Sequence, residues 1–401
     1  MVPITECSIW GRASCPWDPV RVPGGSSGGE GVLVGEYGSV IGIGTDIGGS
    51  VRIPASWSGL TAYKSTPQRT TTLGMDKAKI GDNKYTGNKV RTVAGPMTRS
   101  VDDCVTLSEC WWCKPAYAAD PYVPQLPFND SIYQQHKPLR IGYFLTDHNL
   151  MESCVSVKRG ITETIHILQQ LGHDVVPFKS PSCTPSLIRL WQQFFAGTGA
   201  ISQITALHGE SPLHHYTHLT KLFPNTQTPY HVRIAKILGN TQEVDKLLND
   251  NNIGIPAYRY EQLMADMVKW QYEYTQQWQQ AKLDILICPA TALPAIKHTD
   301  PTLLFQAANY CTIFNMTEYP CGVLPVTTVQ QNEQFYQTSQ TKFVAPGNES
   351  MKNSVGLPVA VQVVALPYQD EKVLNIMKQI ETKLDFYNKY KPIVYTQLQK
   401  T

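Results

Sequence analysis

Apolar positions follow two spacings along the first half of the chain, and each spacing predicts one type of element. Short apolar runs at 139–145 and 173–178 predict buried strands. Between them, apolar residues recur at helical spacing until Gly172, which is typical of a helix end. The face of this predicted helix consists of Val157, Ile161, Ile165, Leu168 and Leu171. A strand, a helix and a second strand in this order indicate an α/β architecture with a largely parallel sheet.

The same patterns return in the C-terminal part of the chain. A long helix is predicted for 256–282, and it leads into a strand at 283–289. Further apolar runs at 321–329 and 356–366 predict two more strands, and a closing helix is expected from about Gln369. The apolar face of the long helix consists of Tyr260, Met264, Met267, Trp270, Tyr274 and Trp278.

We expect one α/β domain over residues 1–401, with a mixed, largely parallel sheet flanked by helices on both sides. The segment 191–252 departs from this pattern, because prolines and an asparagine in "FPNTQTPY" interrupt its helix signals. We interpret it as a cap or lid inserted into the domain. Within it, 228–240 predicts a short helix with one apolar face, for which ordinary packing is favoured over a weak membrane contact.

Composition narrows the class of protein without assigning a function. Charged residues make up 16% of the chain and hydrophobic residues 42%, which are globular values. A net charge of +2 and the lack of a recognition motif give no reason to expect a nucleic acid partner. Ten irregularly spaced cysteines indicate a reducing, intracellular setting, cytoplasmic or peripherally attached to a membrane. No apolar run reaches the roughly 18–20 residues of a membrane-spanning helix.

Glycine and serine are concentrated between residues 21 and 60, and three kinds of site compete to explain this stretch. A dinucleotide loop lacks its third glycine after Gly42 and Gly44. A nucleophile elbow centred on Ser27 needs a buried strand before the serine, but three prolines occupy that segment. The third possibility uses two serines, Ser26 and Ser50, each of which follows a Gly-Gly pair.

The two-serine arrangement predicts a specific local fold. A short helix at 28–35 and a strand at 39–44 would return the second Gly-Gly-Ser to the side of the first. The turn at 45–50 could then direct backbone N–H groups at one point, as an oxyanion hole requires. One serine would act as nucleophile while the other relays its proton. A glycine-rich turn with local serine hydrogen bonds explains the same composition, so the residues alone leave both open.

Longer motifs decide between these alternatives by resemblance. "PGGSSGGEG" followed by "GIGTDIGGSVRIPA" resembles the signature of the amidase signature family of serine hydrolases. The similarity continues in "VAGPMTRSVDD", "LDILICPATALPA", "NMTEYPCGVLPVTTV" and "SVGLPVAVQVVALPYQDE", and it is weakest at about 191–258. It implies the α/β fold of that family and hydrolysis of carboxylic amides, with fatty-acid amides as the expected small-molecule substrates.

The resemblance also implies roles for individual residues. Ser50 matches the nucleophile that forms the acyl-enzyme, and Ser26 matches a bridging serine that follows a cis peptide bond. Asp46 and Arg52 match residues that hold the loop. The oxyanion-hole amides are implied to be those of Ile47, Gly48, Gly49 and Ser50. The resemblance implies no metal and no organic cofactor, and it leaves open a peripheral membrane contact through the cap region and a homodimer.

One part of the family's machinery has no counterpart among the first residues. A buried, neutral lysine is the base of this family and precedes the glycine–serine stretch, yet residues 1–25 contain no lysine. Lys64 matches a different family position. We therefore expect the sequence to lack N-terminal elements of an active enzyme. The alternatives are an inactive lipid- or partner-binding pseudoenzyme of the same fold, a short-chain amidase and an amidotransferase subunit.

Overall fold

A computed structural model describes residues 4–7, 9–75, 90–147, 150–196, 257–299 and 304–392. Its strands are β1 (Glu6–Cys7), β2 (Gly11–Arg12), β3 (Gly42–Asp46), β4 (Thr61–Lys64), β5 (Val93–Thr98), β6 (Arg140–Tyr143), β7 (Asp174–Pro177), β8 (Ile285–Pro289), β9 (Cys321–Thr328) and β10 (Pro358–Val364). Its α-helices are α1 (Gly28–Gly35), α2 (Arg52–Ser58), α3 (Val101–Trp111), α4 (Lys114–Ala119), α5 (Asp130–Tyr133), α6 (Val155–Gln170), α7 (Thr184–Ala196), α8 (Ala257–Gln280), α9 (Asn309–Met316), α10 (Thr341–Met351), α11 (Asp370–Leu384) and α12 (Phe386–Lys389).

Eight strands form one mixed sheet in the order β3-β5-β4-β9-β10-β8-β6-β7. The predicted strand–helix–strand unit is confirmed, since β6, α6 and β7 follow each other and the two strands pair in parallel. Strand β6 also pairs in parallel with β8, but the other five pairings of this sheet are antiparallel. The mixed sheet is therefore confirmed, and the predicted predominance of parallel pairs is wrong. An apolar run shows that a strand is buried without showing its direction, which the connections decide.

Helices cover both faces of the sheet, as the register of its central strands shows. The side chain of Gln362 on β10 is on the face of the sheet that α2 covers, because Arg52 at the start of α2 donates a hydrogen bond to it. Gly322 of β9 lies one register position away from the residue that pairs with Gln362, so it faces the opposite side of the sheet. There a Cβ at Gly322 would overlap with Met377 of α11. The sheet thus separates a layer that contains α2 from a layer that contains α11.

The structure contains elements that the sequence pattern did not predict. Strands β1 and β2 pair as a short antiparallel hairpin, for which the sequence analysis gave no prediction. Their two-residue strands are too short to produce an alternating pattern. Helix α3 begins at a capping serine, whose Oγ accepts a hydrogen bond from the N–H of Asp103 at 3.1 Å.

The expected cap segment can be compared with the structure only at its beginning. Helix α7 runs without interruption across the expected boundary at Trp191. Residues 197–252, which include the helix predicted for 228–240, lie outside the described residues. The cap therefore stays a prediction. Among the helices of the described segments, none is both long and apolar enough to cross a membrane.

Candidate active site

The two Gly-Gly-Ser segments lie side by side. The N–H of Ser27 donates a hydrogen bond to the carbonyl oxygen of Ser50 at 3.1 Å. Gly24 packs directly on α2, where a Cβ at this position would lie 2.6 Å from the Cα of Pro54. The helix and the strand that were predicted between the two segments are both present, as α1 and β3. The predicted return of the second segment to the first is confirmed.

A serine side chain joins the start of α1 to the end of β3. Ser27 Oγ accepts a hydrogen bond from the N–H of Thr45 at 3.1 Å and donates to the carbonyl oxygen of the same residue at 3.4 Å. Gly44 has no space for a side chain, because a Cβ there would lie 2.7 Å from Ser27 Oγ. The bond between Gly25 and Ser26 is cis, as the resemblance implies. Ser26 is exposed, whereas Ser50 is 1% exposed.

A fully buried ion pair supports the turn that carries Ser50. Arg52 donates from Nε and from a terminal nitrogen to the two carboxylate oxygens of Asp46, at 2.9 and 3.0 Å. Neither residue is exposed to solvent. Burial would raise the pKa of Asp46, but the charge and hydrogen bonds of Arg52 outweigh it and hold that pKa below its ordinary value. Both residues are therefore charged at neutral pH.

Asp46 also binds the main chain of the turn. Its oxygens accept hydrogen bonds from the N–H groups of Gly49 at 2.8 Å and Val51 at 3.3 Å. The side-chain amide of Asn315 on α9 donates to Asp46 at 2.8 Å. Arg52 extends the network by donating to the carbonyl oxygen of Cys311 at 2.9 Å. Asp46 and Arg52 thus hold the main chain of the turn through charge-assisted hydrogen bonds within the protein.

The sequence analysis missed the partners that come from distant parts of the chain. The side-chain oxygens of Asn315 and Gln362 both accept hydrogen bonds from the guanidinium group of Arg52, at 2.6 and 2.7 Å. A signal for Gln362 was present, because it is a polar residue inside the apolar run of β10 and buried polar groups need partners. Asn315 stands in one of the motifs that carry the resemblance, which did not assign it a role.

The amides of the turn differ in what they are free to bind. The Gly49 N–H is directed to Asp46, so it serves the turn itself. The carbonyl oxygen of Gly48 accepts a hydrogen bond from Thr312 Oγ1 at 3.1 Å, and that of Ile47 accepts one from Trp191 Nε1 at 2.9 Å. The Gly49 N–H is thereby excluded as an oxyanion donor, and the N–H groups of Ile47, Gly48 and Ser50 stay the expected ones.

Lys64 is a buried lysine at the end of strand β4, and its side chain donates to main-chain carbonyl oxygens. Its Nζ donates to the carbonyl oxygen of Tyr319 at 2.7 Å and to that of Ser65 at 3.4 Å. Burial lowers the pKa of its ammonium group. These contacts tie β4 to the residues before β9, which is a structural role and agrees with leaving Lys64 unassigned as a base.

Replacing Gly49 with alanine should lower the free energy of unfolding by about 2–4 kcal/mol, which a denaturant titration measures. Gly49 has a φ of +115°, and a Cβ would lie 2.6 Å from Cys311 Cβ. Gly172→Ala is the matched control, since Gly172 has a φ of +90° with nothing near its Cβ position. It should cost only about 1–2 kcal/mol. Equal losses in the two variants would refute the close approach of Cys311 to the turn.

Comparison with known proteins extends over nearly the whole chain. A sequence model of the family described as Amidase matches residues 1–374. Fatty-acid amide hydrolase 1 of Sus scrofa is 31% identical over 396 residues, and fatty acid amide hydrolase 1 of Caenorhabditis elegans is 30% identical over 389 residues. Each alignment covers 94% of this chain. A solved structure of fatty acid amide hydrolase superposes with a TM-score of 0.75 at 22% identity and covers 96% of this chain.

The chain is shorter than these proteins. It spans 65% of the length of the Sus scrofa protein, 66% of the Caenorhabditis elegans protein and 63% of the superposed structure. The structural likeness, at its low identity, bears on the fold alone. It agrees with the mixed sheet and the two helical layers described above.

Proposed function

The chain belongs to the amidase family, and from this premise we propose that it is a serine hydrolase of carboxylic amides. The observation that carries the proposal is the hydrogen bond from the Ser27 N–H to the Ser50 carbonyl, which joins the two Gly-Gly-Ser segments. Ser50 stands in the turn before α2, between Gly49 and Val51, whose N–H groups donate to Asp46 of the buried Asp46–Arg52 pair. A serine held in this way can attack a carbonyl carbon if a base accepts its proton.

The proposed reaction has two stages. Ser50 Oγ attacks the amide carbonyl and gives its proton to Ser26, which passes its own proton to the base. The tetrahedral intermediate then collapses to acyl-Ser50, while the proton returns through Ser26 to the departing amine. In the second stage, water attacks acyl-Ser50 by the same proton route, so the products are a carboxylic acid and free Ser50.

The base itself is not assigned to a residue of this sequence. The resemblance places a lysine before Ser26, and residues 1–25 contain none. Lys64 donates to the main-chain carbonyls of Ser65, directly after β4, and Tyr319, shortly before β9. Ser26 is exposed, which leaves its hydroxyl accessible to a base in this proposal.

Charge that develops on the substrate oxygen needs hydrogen-bond donors at the turn. The N–H groups of Ile47, Gly48 and Ser50 are our candidates, because Gly49 donates to Asp46 instead. One such donor typically contributes about 10²–10³-fold to the rate of acyl transfer. Asp46 and Arg52 act indirectly in this proposal, by fixing the turn that presents these amides.

We propose long-chain fatty-acid amides as the substrate class; the names of the two curated relatives describe those proteins as hydrolases of fatty-acid amides, without a chain length. The full-length protein should hydrolyse a palmitoyl amide at least about 100-fold more efficiently than the acetyl amide of the same amine. Each buried methylene contributes about 0.8 kcal/mol, so burial of a few of them reaches this ratio. The measurement is kcat/KM across acetyl, octanoyl and palmitoyl amides with the released amine quantified.

The alternatives give different results in the same series. A preference for the acetyl amide would make the protein a short-chain amidase and contradict the fatty-acid assignment. Binding of the palmitoyl amide without release of amine would favour a lipid-binding pseudoenzyme and contradict hydrolysis. Both binding and turnover should therefore be recorded for each substrate.

A further inference from the structure

A tryptophan from a separate helix packs on the turn before Ser50. Trp191 of α7 is 6% exposed, and its indole Nε1 donates to the carbonyl oxygen of Ile47 at 2.9 Å. Its ring lies against Gly48, where a Cβ would be 2.5 Å from Cζ2 of the indole. Glycine at position 48 is therefore required for this contact, and the indole touches both residues of one peptide bond.

The orientation of that peptide decides where one amide points. In a trans peptide, the carbonyl and the N–H point in opposite directions. Since the Ile47 carbonyl is directed at Trp191, the Gly48 N–H is directed away from the indole. Among the residues that the structure describes, the Gly48 N–H donates to no other group. The direction of this N–H group is therefore fixed, and the position that an acceptor would take is open.

The next peptide of the turn shows the contrasting case. Its carbonyl, that of Gly48, accepts a hydrogen bond from Thr312 Oγ1 at 3.1 Å. Its amide, that of Gly49, donates to Asp46 Oδ1 at 2.8 Å. Both ends of this second peptide are used inside the protein, so it can only support the turn. The peptide held by Trp191 differs from it, because its carbonyl is fixed while its amide is open.

We propose that Trp191 is a positioning residue for amide hydrolysis, which orients the Gly48 N–H toward the oxyanion formed at Ser50. This inference rests on the proposed function, because it assigns the use of an amide in that reaction. The indole N–H fixes the carbonyl end of the peptide, and the ring prevents the peptide from rotating toward α7. Without the indole N–H, the Ile47 carbonyl loses its partner and the Gly48 amide loses its fixed direction.

The test replaces the indole N–H while keeping an aromatic ring. Trp191→Phe should lower kinact for a fluorophosphonate at Ser50 by about 10–100-fold and leave KI within about threefold, because the oxyanion donor acts in the transition state. Trp278→Phe is the matched control, since Trp278 is 0% exposed and donates from Nε1 to the carbonyl oxygen of Leu283 at 2.6 Å. That bond lies at the end of α8, and kinact should stay within about threefold of wild type.

Two results would overturn the inference. An unchanged kinact in Trp191→Phe would show that the indole N–H does not position a donor. Equal losses of kinact in both variants would show only a general effect of losing a buried tryptophan.

The role of Trp191 in positioning the Gly48 amide can be tested independently of the proposed function. If the wild-type protein is not labelled at Ser50, the proposed function fails, whatever Trp191 does. Crystal structures of the wild type and Trp191→Phe then test the positioning directly. We expect the Ile47–Gly48 peptide to turn or shift in the variant, and an unchanged peptide would overturn the inference.

Discussion

Ser50→Ala should abolish amide hydrolysis by the full-length protein, with a loss in kcat of about 10⁴–10⁶-fold. The substitution removes the atom that forms the acyl bond, and no other hydroxyl of the turn replaces it in our proposal. Because Ser50 is small and 1% exposed, the fold should tolerate alanine at a cost of about 1 kcal/mol. The measurement is initial rates with a palmitoyl amide, together with a denaturant titration of both proteins.

Ser108→Ala is the matched control for this experiment. Ser108 is also 1% exposed, and its Oγ donates to the carbonyl oxygen of Cys104 within α3, at 2.8 Å. It should keep activity within about twofold and lose a similar amount of stability. Retention of more than a tenth of the wild-type rate by Ser50→Ala would contradict the assignment of the nucleophile.

Asp46→Ala should lower the free energy of unfolding by about 3–5 kcal/mol and remove labelling of Ser50. The loss is large because Arg52, which is 0% exposed, would keep its charge without a carboxylate partner. Gly49 and Val51 would also lose the acceptor of their N–H groups. The pKa of Asp46 is depressed in the folded protein, so the difference should persist above about pH 4 and shrink at lower pH, where an unfolded aspartate binds a proton.

An exposed ion pair provides the comparison for Asp46. Lys352 Nζ lies 2.6 Å from Glu349, and the two side chains are 65% and 51% exposed. Lys352→Ala should change the free energy of unfolding far less than Asp46→Ala does, because solvent screens such a pair. If Asp46→Ala does not fold, Asp46→Asn keeps the shape of the side chain and should still be measurably less stable than wild type. A loss below about 1 kcal/mol in both Asp46 variants would contradict the supporting role of the pair.

The sequence predicted the parts of the fold that local pattern controls. The short helix and strand between the two serine segments were predicted because the glycines, the apolar residues and both serines lie within thirty residues of each other. The directions of the strands could not be predicted in this way. Strands β8, β9 and β10 have similar apolar runs, but they differ in how the chain connects them.

The residues that surround the turn were harder to predict for the same physical reason. Thr312 and Asn315 reach the turn from α9, and Trp191 reaches it from α7. Nothing local in sequence marks these residues as neighbours of Ser50, because only the tertiary fold brings them there. The choice of Asp46 and Arg52 came from the resemblance, and the structure adds the reason for their presence: one carboxylate and one guanidinium hold the main chain of the turn.

The most direct measurement for the proposed function is the site at which a fluorophosphonate modifies the full-length protein. The protein is treated with the reagent, digested and analysed by peptide mass spectrometry. A serine that can be activated as a nucleophile reacts covalently, whereas the other hydroxyls of the glycine–serine stretch should not. We expect one adduct per chain, on Ser50, and its loss in Ser50→Ala. An unmodified protein, or an adduct on another residue with Ser50 unmodified, would contradict the proposal that Ser50 is the nucleophile of an amide hydrolase.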